Sequence, residues 1–101
     1  MKIDAHAHVA PPEYVEALPI AIPVPSPLDG LKRFMDRYSI DRAVISTGPP
    51  GAPAPEIARI ANDALAEIAR AEPDTFAALA TLPLGNADAA IEEVARAHDE
   101  V

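Results

Sequence analysis

The stretch MKIDAHAHV, residues 1–9, predicts a β-strand that ends on two histidines. Side chains two apart on a strand point to the same face, so His6 and His8 should project together, roughly 7 Å apart at the backbone. Two imidazoles at that spacing can converge on one metal ion, and imidazole suits zinc, copper, iron and nickel. The same alternation predicts Asp4 on the histidine face, one pleat deeper. It predicts four apolar side chains on the opposite face: Ile3, Ala5, Ala7 and Val9. The stretch therefore predicts two ligands of a metal site that needs more than these two.

The rest of the chain alternates helical and extended patterns. Segment 10–27 is rich in proline and predicts a connection, with one or two helical turns at 12–18. Ser26 is the expected N-cap of the next helix, and Pro27 its first helical residue. The apolar spacing then predicts five elements: a helix to about Ser39, a strand at 42–47, a helix from Pro55 that stops before Pro73, a strand at 76–82 and a helix at 87–98.

This order predicts an α/β fold with parallel βα units. Strands that begin near residues 2, 42 and 76 have the separations that are typical of βαβ crossovers in a parallel sheet. A closed barrel of such units needs eight strands and about 250 residues, whereas this chain supplies three strands. Residues 1–101 are then either one N-terminal portion of a larger barrel domain, truncated, or a small α/β domain. We favour the first, in which the chain corresponds to the first three strands and helices of a (β/α)8 (TIM) barrel.

Composition narrows the classes of partner. A formal net charge of −8 and an isoelectric point near 4.6 argue against nucleic acid and against anionic membrane surfaces. The absence of cysteine excludes disulfides and thiolate metal sites. The longest runs without charged residues, 43–55 and 75–87, contain prolines and are too short to span a bilayer. The N-terminus has no secretory pattern, so we expect a cytoplasmic protein.

Three stretches resemble one known family. MKIDAHAHV is similar to the opening strand of the amidohydrolase superfamily, which ends in a His-x-His metal pair. Residues 30–46, GLKRFMDRYSIDRAVIS, resemble the helix and second strand of its amidohydrolase-related branch, and 62–68 and 73–84 resemble the next helix and third strand. That branch contains aminocarboxymuconate-semialdehyde decarboxylase and related aromatic-acid decarboxylases and hydratases, along with hydrolases. The resemblance covers essentially the whole chain but only about the first third of the family barrel.

The resemblance implies a metal-dependent enzyme acting on a small-molecule substrate. It assigns His6 and His8 as metal ligands at the C-terminal end of the first strand, with a divalent ion, typically zinc. The family takes its remaining ligands from the fifth and eighth strands and a catalytic histidine from after the sixth. None of those positions lies within residues 1–101, so we assign no catalytic residue and expect the isolated piece to be inactive. The activity implied is that of a carboxy-lyase (decarboxylase) or a hydrolase.

Other polar residues have more than one interpretation. For Asp4 we favour a structural role over orientation of the histidines. We expect hydrogen-bonding roles for three residues near strand ends: Ser46, Thr47 and Thr81. The segment 48–55 is expected to form a loop at the rim of the site, because it lacks a phosphate-binding pattern. Asn62 and Asp63 are expected to be structural.

The last helix has a predicted apolar stripe. Its members are Ile91, Val94, Ala95 and His98, with His98 near the helix surface and without a catalytic role. The acidic pairs 92–93 and 99–100 are expected to be solvated. The alternative function is a non-catalytic α/β domain that acts through self-association or protein interaction, since an open sheet edge and uncovered apolar helix faces favour association. Whether the protein forms a homo-oligomer is therefore left open.

Overall fold

The fold is described by a computed structural model that covers residues 1–19 and 27–100, with side chains up to His98. Three parallel strands form one sheet in the order β1-β2-β3. The elements are β1 (Ile3–His8), α1 (Pro12–Ala17), α2 (Leu28–Tyr38), β2 (Arg42–Ser46), α3 (Pro55–Ala71), β3 (Phe76–Ala78) and α4 (Ala87–Glu100). The predicted α/β class, element order and parallel strand pairing are confirmed.

The helix ends follow local sequence signals. Helix α2 has Pro27 as its N-cap residue rather than its first helical residue, and the predicted cap Ser26 lies outside the described residues. Ser39 ends α2 in the left-handed conformation, with φ 55° and ψ 42°. Helix α3 begins at Pro55 as predicted. Asn86 caps α4, because its side-chain Oδ1 accepts a hydrogen bond from the Ala89 N–H at 3.0 Å.

The core has two parts that meet on α3. The first lies against the sheet and is built from Ala7, Val9, Met35, Ala43, Ile45, Leu65 and Phe76. The second lies between α1 and α3 and is built from Tyr14, Leu18, Ala52, Ile57, Ala58 and Ala61. Alanines are two of the seven residues in the first part and three of the six in the second, so the second part is thin. None of the helices in the described part of the chain is long and apolar enough to cross a bilayer.

Strand β1 contains an irregularity that the spacing did not predict. Its register against β2 pairs Asp4 with Ala43 and Ala7 with Ile45, so one extra residue lies in β1 between those pairs. Since residues paired across parallel strands share a face, Asp4 lies on the buried face with Ala7. The prediction that Asp4 shares the histidine face is therefore wrong. The predicted apolar face is also only partly right, because Ile3 and Ala5 are exposed.

Strand β3 is shorter than predicted. It ends at Ala78 instead of continuing to Leu82. The Leu79 N–H still donates to the Ile45 carbonyl at 2.9 Å. Beyond that point the backbone of Thr81 bonds to the side chain of Asn62 rather than to a strand. A side chain thus replaces the strand partner where the sheet ends.

Helix α4 packs with a different face from the predicted one. Ile91 is 70% exposed and Val94 is 51% exposed. Ala90 and Glu93 are buried instead, so α4 packs beside its predicted apolar stripe, and the prediction of a solvated Glu93 is wrong. The reason is a buried network of hydrogen bonds and ion pairs between α3 and α4, which fixes the helix by its polar side. The side chains of residues 99 and 100 lie outside the described part of the structure.

Candidate metal centre

The two histidines converge at the C-terminal end of β1. His6 Nε2 and His8 Nε2 lie 2.9 Å apart, and the ring centroids are 4.9 Å apart at an interplanar angle of 59°. Both side chains are exposed and flank the buried Ala7. At this distance one neutral ring donates its N–H to the other ring's nitrogen. The predicted convergence of the pair is confirmed.

This geometry fits a shared metal ion. Two imidazole nitrogens on one tetrahedral ion lie about 3.3 Å apart, given metal–nitrogen distances of about 2.0–2.1 Å. The two Nε2 atoms are already within a few tenths of an ångström of that separation. Replacing the shared proton by an ion therefore requires only a small opening of the pair.

The backbone at His6 is held by Asp4. One carboxylate oxygen of Asp4 accepts a hydrogen bond from the His6 N–H at 3.0 Å. The bond lies at the irregular part of β1, where the ladder with β2 is interrupted. Asp4 thus satisfies a backbone donor that the interrupted ladder leaves without its regular partner. This contact agrees with the structural role favoured for Asp4.

The ring of His8 lies against Gly48, the second residue after β2. Gly48 has a positive φ of 69°, which side-chain-bearing residues rarely adopt. A Cβ at this position would lie 2.6 Å from His8 Nδ1 and 2.8 Å from its Cγ. Position 48 therefore requires glycine for two reasons: the positive φ of its backbone and the closeness of the His8 ring. The sequence signal was a glycine just after a strand, which indicates a turn but does not reveal the histidine behind it.

The neighbouring strand end is fixed by Asn62. Its Oδ1 accepts a hydrogen bond from the Thr81 N–H at 2.7 Å, and its Nδ2 donates to the Thr81 carbonyl at 2.9 Å. The same Nδ2 donates to Glu93 Oε2 at 2.7 Å. Asn62 is buried and ties the segment after β3 to α3 and α4. The predicted structural role of Asn62 is confirmed.

An ion-pair network continues from Asn62 on the side of α4. Arg96 donates to both carboxylate oxygens of Glu93, at 2.8 and 2.7 Å, and to Asp63 Oδ1 at 2.8 Å. The guanidinium of Arg96 holds the pKa of Glu93 below its usual value, despite the opposing effect of burial. Glu93 in turn raises the pKa of Arg96. This network positions helices and strand ends rather than a metal.

The pair is an incomplete site. Within residues 1–19 and 27–98, no three or more His, Cys, Asp or Glu side chains gather in a way that could hold a metal ion. The third histidine, His98, is exposed near the end of α4, as predicted. Among these residues, only two ligands are therefore contributed to the candidate centre.

The fold and the histidine pair resemble one class of protein, the decarboxylases of the amidohydrolase superfamily, and the three parallel strands with their helices correspond to the first units of the (β/α)8 barrel of those proteins. No family model matches the sequence. The chain is 42% identical over 71 residues to the γ-resorcylate decarboxylase of Rhizobium sp. (strain MTP-10005), covering 63% of this chain and 22% of that protein. It thus spans about a fifth of the relative's length.

Two solved structures show the same resemblance. A structure named amidohydrolase II superimposes with a TM-score of 0.83 at 29% identity, covering 99% of this chain and 37% of its own. A dihydroxybenzoic acid decarboxylase from Polaromonas sp. JS666, with bound manganese and the inhibitor 2-nitroresorcinol, superimposes with a TM-score of 0.75 at 28% identity. It covers 98% of this chain and 35% of its own.

Proposed function

We propose that this chain is the N-terminal portion of a barrel enzyme that uses a divalent metal to decarboxylate an aromatic carboxylate, with His6 and His8 as two of the metal ligands. The observation that carries the proposal is the 2.9 Å separation of the two Nε2 atoms at the C-terminal end of a parallel strand. Barrels of this type place their sites at that end. The similarity to γ-resorcylate decarboxylase supports the choice of reaction and substrate class.

The role that we propose for this chain is to hold two metal ligands, His6 and His8, in position. Neutral imidazoles bind a divalent ion through Nε2, and the ion supplies polarisation of a substrate oxygen or a lowered pKa for bound water. Gly48 supports the His8 ring from behind, and Asp4 holds the His6 backbone. The contact with Gly48 restricts the His8 ring before any ion binds, which lowers the entropy lost on binding.

The identity of the ion is a separate question. Zinc stays a prediction of the sequence, and the manganese in the Polaromonas enzyme supports a divalent ion more generally. Two imidazoles alone should hold any such ion far more weakly than a complete site of four ligands. We therefore propose that the remaining ligands come from residues beyond 1–101 and that the isolated chain has no activity. The cytoplasmic location and the absence of nucleic-acid partners stay predictions.

The proposal is tested with the complete product of the reading frame that encodes this chain. The reading frame is followed past the codon for Val101, the whole product is expressed, and release of carbon dioxide from γ-resorcylate (2,6-dihydroxybenzoate) is measured. We expect activity that His6→Ala and His8→Ala each reduce by more than about 100-fold. The control His98→Ala should retain full activity, since His98 lies outside the pair. A frame that stops directly after Val101, or hydrolysis without decarboxylation, would contradict the proposal.

One observation favours the alternative of a non-catalytic, self-associating domain. Four large apolar side chains are at least half exposed along β3, α4 and their connection: Leu79, Leu84, Ile91 and Val94. Exposed apolar patches of this kind mark surfaces that bind a partner or that pack against additional protein. If the whole reading frame ends near Val101 and the product forms a defined oligomer without metal, this alternative takes the place of the enzyme.

A further inference from the structure

Tyr14 carries a buried polar group that the proposed chemistry does not use. Its side chain is fully buried on α1, within the cluster between α1 and α3. Its hydroxyl donates to the Gly51 carbonyl at 2.6 Å. Burial raises the pKa of Tyr14, so the hydroxyl stays protonated and keeps donating at neutral pH. A buried hydroxyl that donates to a backbone carbonyl holds that carbonyl in place, because leaving either group unpaired would cost free energy.

The backbone that Tyr14 contacts belongs to the turn that backs His8. The Gly51 N–H donates to the Gly48 carbonyl at 2.9 Å and closes a turn of four residues. Gly48 and Gly51 both have positive φ angles, of 69° and 74°. One end of this turn is bound by the Tyr14 hydroxyl, and the other end lies against the His8 ring. Helix α1 is therefore linked to the candidate ligand through the turn.

We infer that Tyr14 is a positioning residue for His8: its hydroxyl holds the turn of residues 48–51 so that Gly48 forms a fixed wall behind the imidazole. The His8 side chain is otherwise exposed, so this wall restricts its rotamers. The inference deepens the proposed function and rests on it for the role of His8 as a ligand. The contact between Gly48 and His8 can be measured without any metal.

If Tyr14 only packs in the core, its ring is needed and its hydroxyl is not. Tyr14 is among the largest fully buried side chains and packs near Leu18 and Ile57. Phenylalanine keeps the ring and its packing but removes the hydroxyl, so Tyr14→Phe separates the two roles. Tyr38→Phe is the matched control, because Tyr38 is 48% exposed and lies on α2 against Phe34. Both variants remove one phenol oxygen.

The test compares the 101-residue chain with both variants by NMR and by zinc titration. We expect nuclear Overhauser effects between the His8 ring protons and the Gly48 Hα protons in the unchanged chain and in Tyr38→Phe, and weaker ones in Tyr14→Phe. We expect zinc affinity to fall about 10-fold in Tyr14→Phe only, the lower end of losses for residues that orient a ligand. Unchanged contacts and affinity in Tyr14→Phe, whatever its melting temperature, would overturn the inference.

The outcomes distinguish this inference from the proposed function. If the unchanged chain binds no zinc, the ligand role fails, while the contacts between Gly48 and His8 in Tyr14→Phe still decide the positioning role. If Tyr14→Phe does not fold, the unchanged chain still tests the inference through the hydroxyl proton of Tyr14. We expect that proton to exchange slowly with solvent and to show a nuclear Overhauser effect to Gly51, and a hydroxyl proton in fast exchange with no such contact would overturn the inference.

Discussion

The histidine corner, formed by β1, β2, α1 and the turn 48–51, and the β3–α4 side, formed by residues 76–98, are built in opposite ways. In the histidine corner the supporting contacts come from the chain itself: Tyr14 binds Gly51, and Gly48 lies against His8. On the β3–α4 side polar groups are paired inside, whereas large apolar groups such as Leu84, 81% exposed, face outward. The corner is thus supported by contacts within the chain, whereas the β3–α4 side exposes apolar surface of the kind that parallel sheets usually cover.

The difference shows which interactions place each region. In the corner, apolar packing and the turn geometry are supplemented by one hydrogen bond, from the Tyr14 hydroxyl to Gly51. On the other side, α4 is held to α3 by hydrogen bonds and ion pairs among Asn62, Glu93 and Arg96. Those bonds are directional, so they orient the helix before its apolar face has any partner. The apolar face is then free to pack against additional protein, in agreement with the proposed barrel.

The largest effect should come from removing the centre of the polar network. Glu93→Ala leaves the buried Asn62 amide and the Arg96 guanidinium without their shared carboxylate. Breaking a buried pair in this way should lower the free energy of unfolding by about 3 kcal/mol. Glu92→Ala is the control, since Glu92 is exposed, and should change it by less than about 0.5 kcal/mol. Urea denaturation measures both, and equal effects would remove the distinction between the two regions.

A slightly smaller loss is expected in the histidine corner for Gly48→Ala. The added Cβ meets the His8 ring at 2.6 Å in a left-handed backbone, so we expect a cost of about 2 kcal/mol and displacement of the ring. Gly85→Ala is the control, because nothing lies within 4 Å of its added Cβ. Thermal unfolding and histidine NMR shifts measure the two consequences. A Gly48→Ala protein with unchanged His8 signals would contradict the close contact.

Acid should weaken the β3–α4 side through Glu93, with an effect smaller than that of Glu93→Ala. The pKa of Glu93 is lowered in the folded chain, so its contribution to stability is fully present above the ordinary value of 4.5. That contribution is lost as the pH falls through the lower folded value. Denaturation curves at pH 6 and pH 3 should show the stability difference between the unchanged chain and Glu93→Gln shrinking at the lower pH. A difference that is independent of pH would contradict the ion pair.

The smallest change in stability is expected for charges placed on the exposed apolar face. Ile91→Lys and Val94→Lys should alter the free energy of unfolding by less than about 0.5 kcal/mol, because both side chains are mostly in solvent. They should reduce any self-association of the 101-residue chain, as measured by light scattering. The exposed Lys32, which pairs with Glu72 on another face, provides a control position in Lys32→Gln. Loss of folding in the Ile91 or Val94 variants would show that this face is already packed.

Sequence patterns predicted the strands, helices and histidine pair because those features depend on local spacing. The extra residue in β1 escaped prediction, since alternation along one strand carries no information about its register against another. The packing of α4 was predicted wrongly because hydropathy cannot show that Glu93 finds both Arg96 and Asn62. The contact of Gly48 with His8 joins residues forty positions apart, so it required the three-dimensional fold.

The proposed function depends above all on His6 and His8 forming one half of a divalent metal site. Manganese titration of the 101-residue chain, followed through the NMR signals of its three histidines, measures whether these two rings bind one ion. We expect the His6 and His8 ring signals to broaden together at the lowest manganese concentrations, while the His98 signals remain sharp. We also expect His6→Ala to remove the selective broadening of His8. Broadening that begins at His98, or that persists unchanged at His8 in His6→Ala, would contradict the claim.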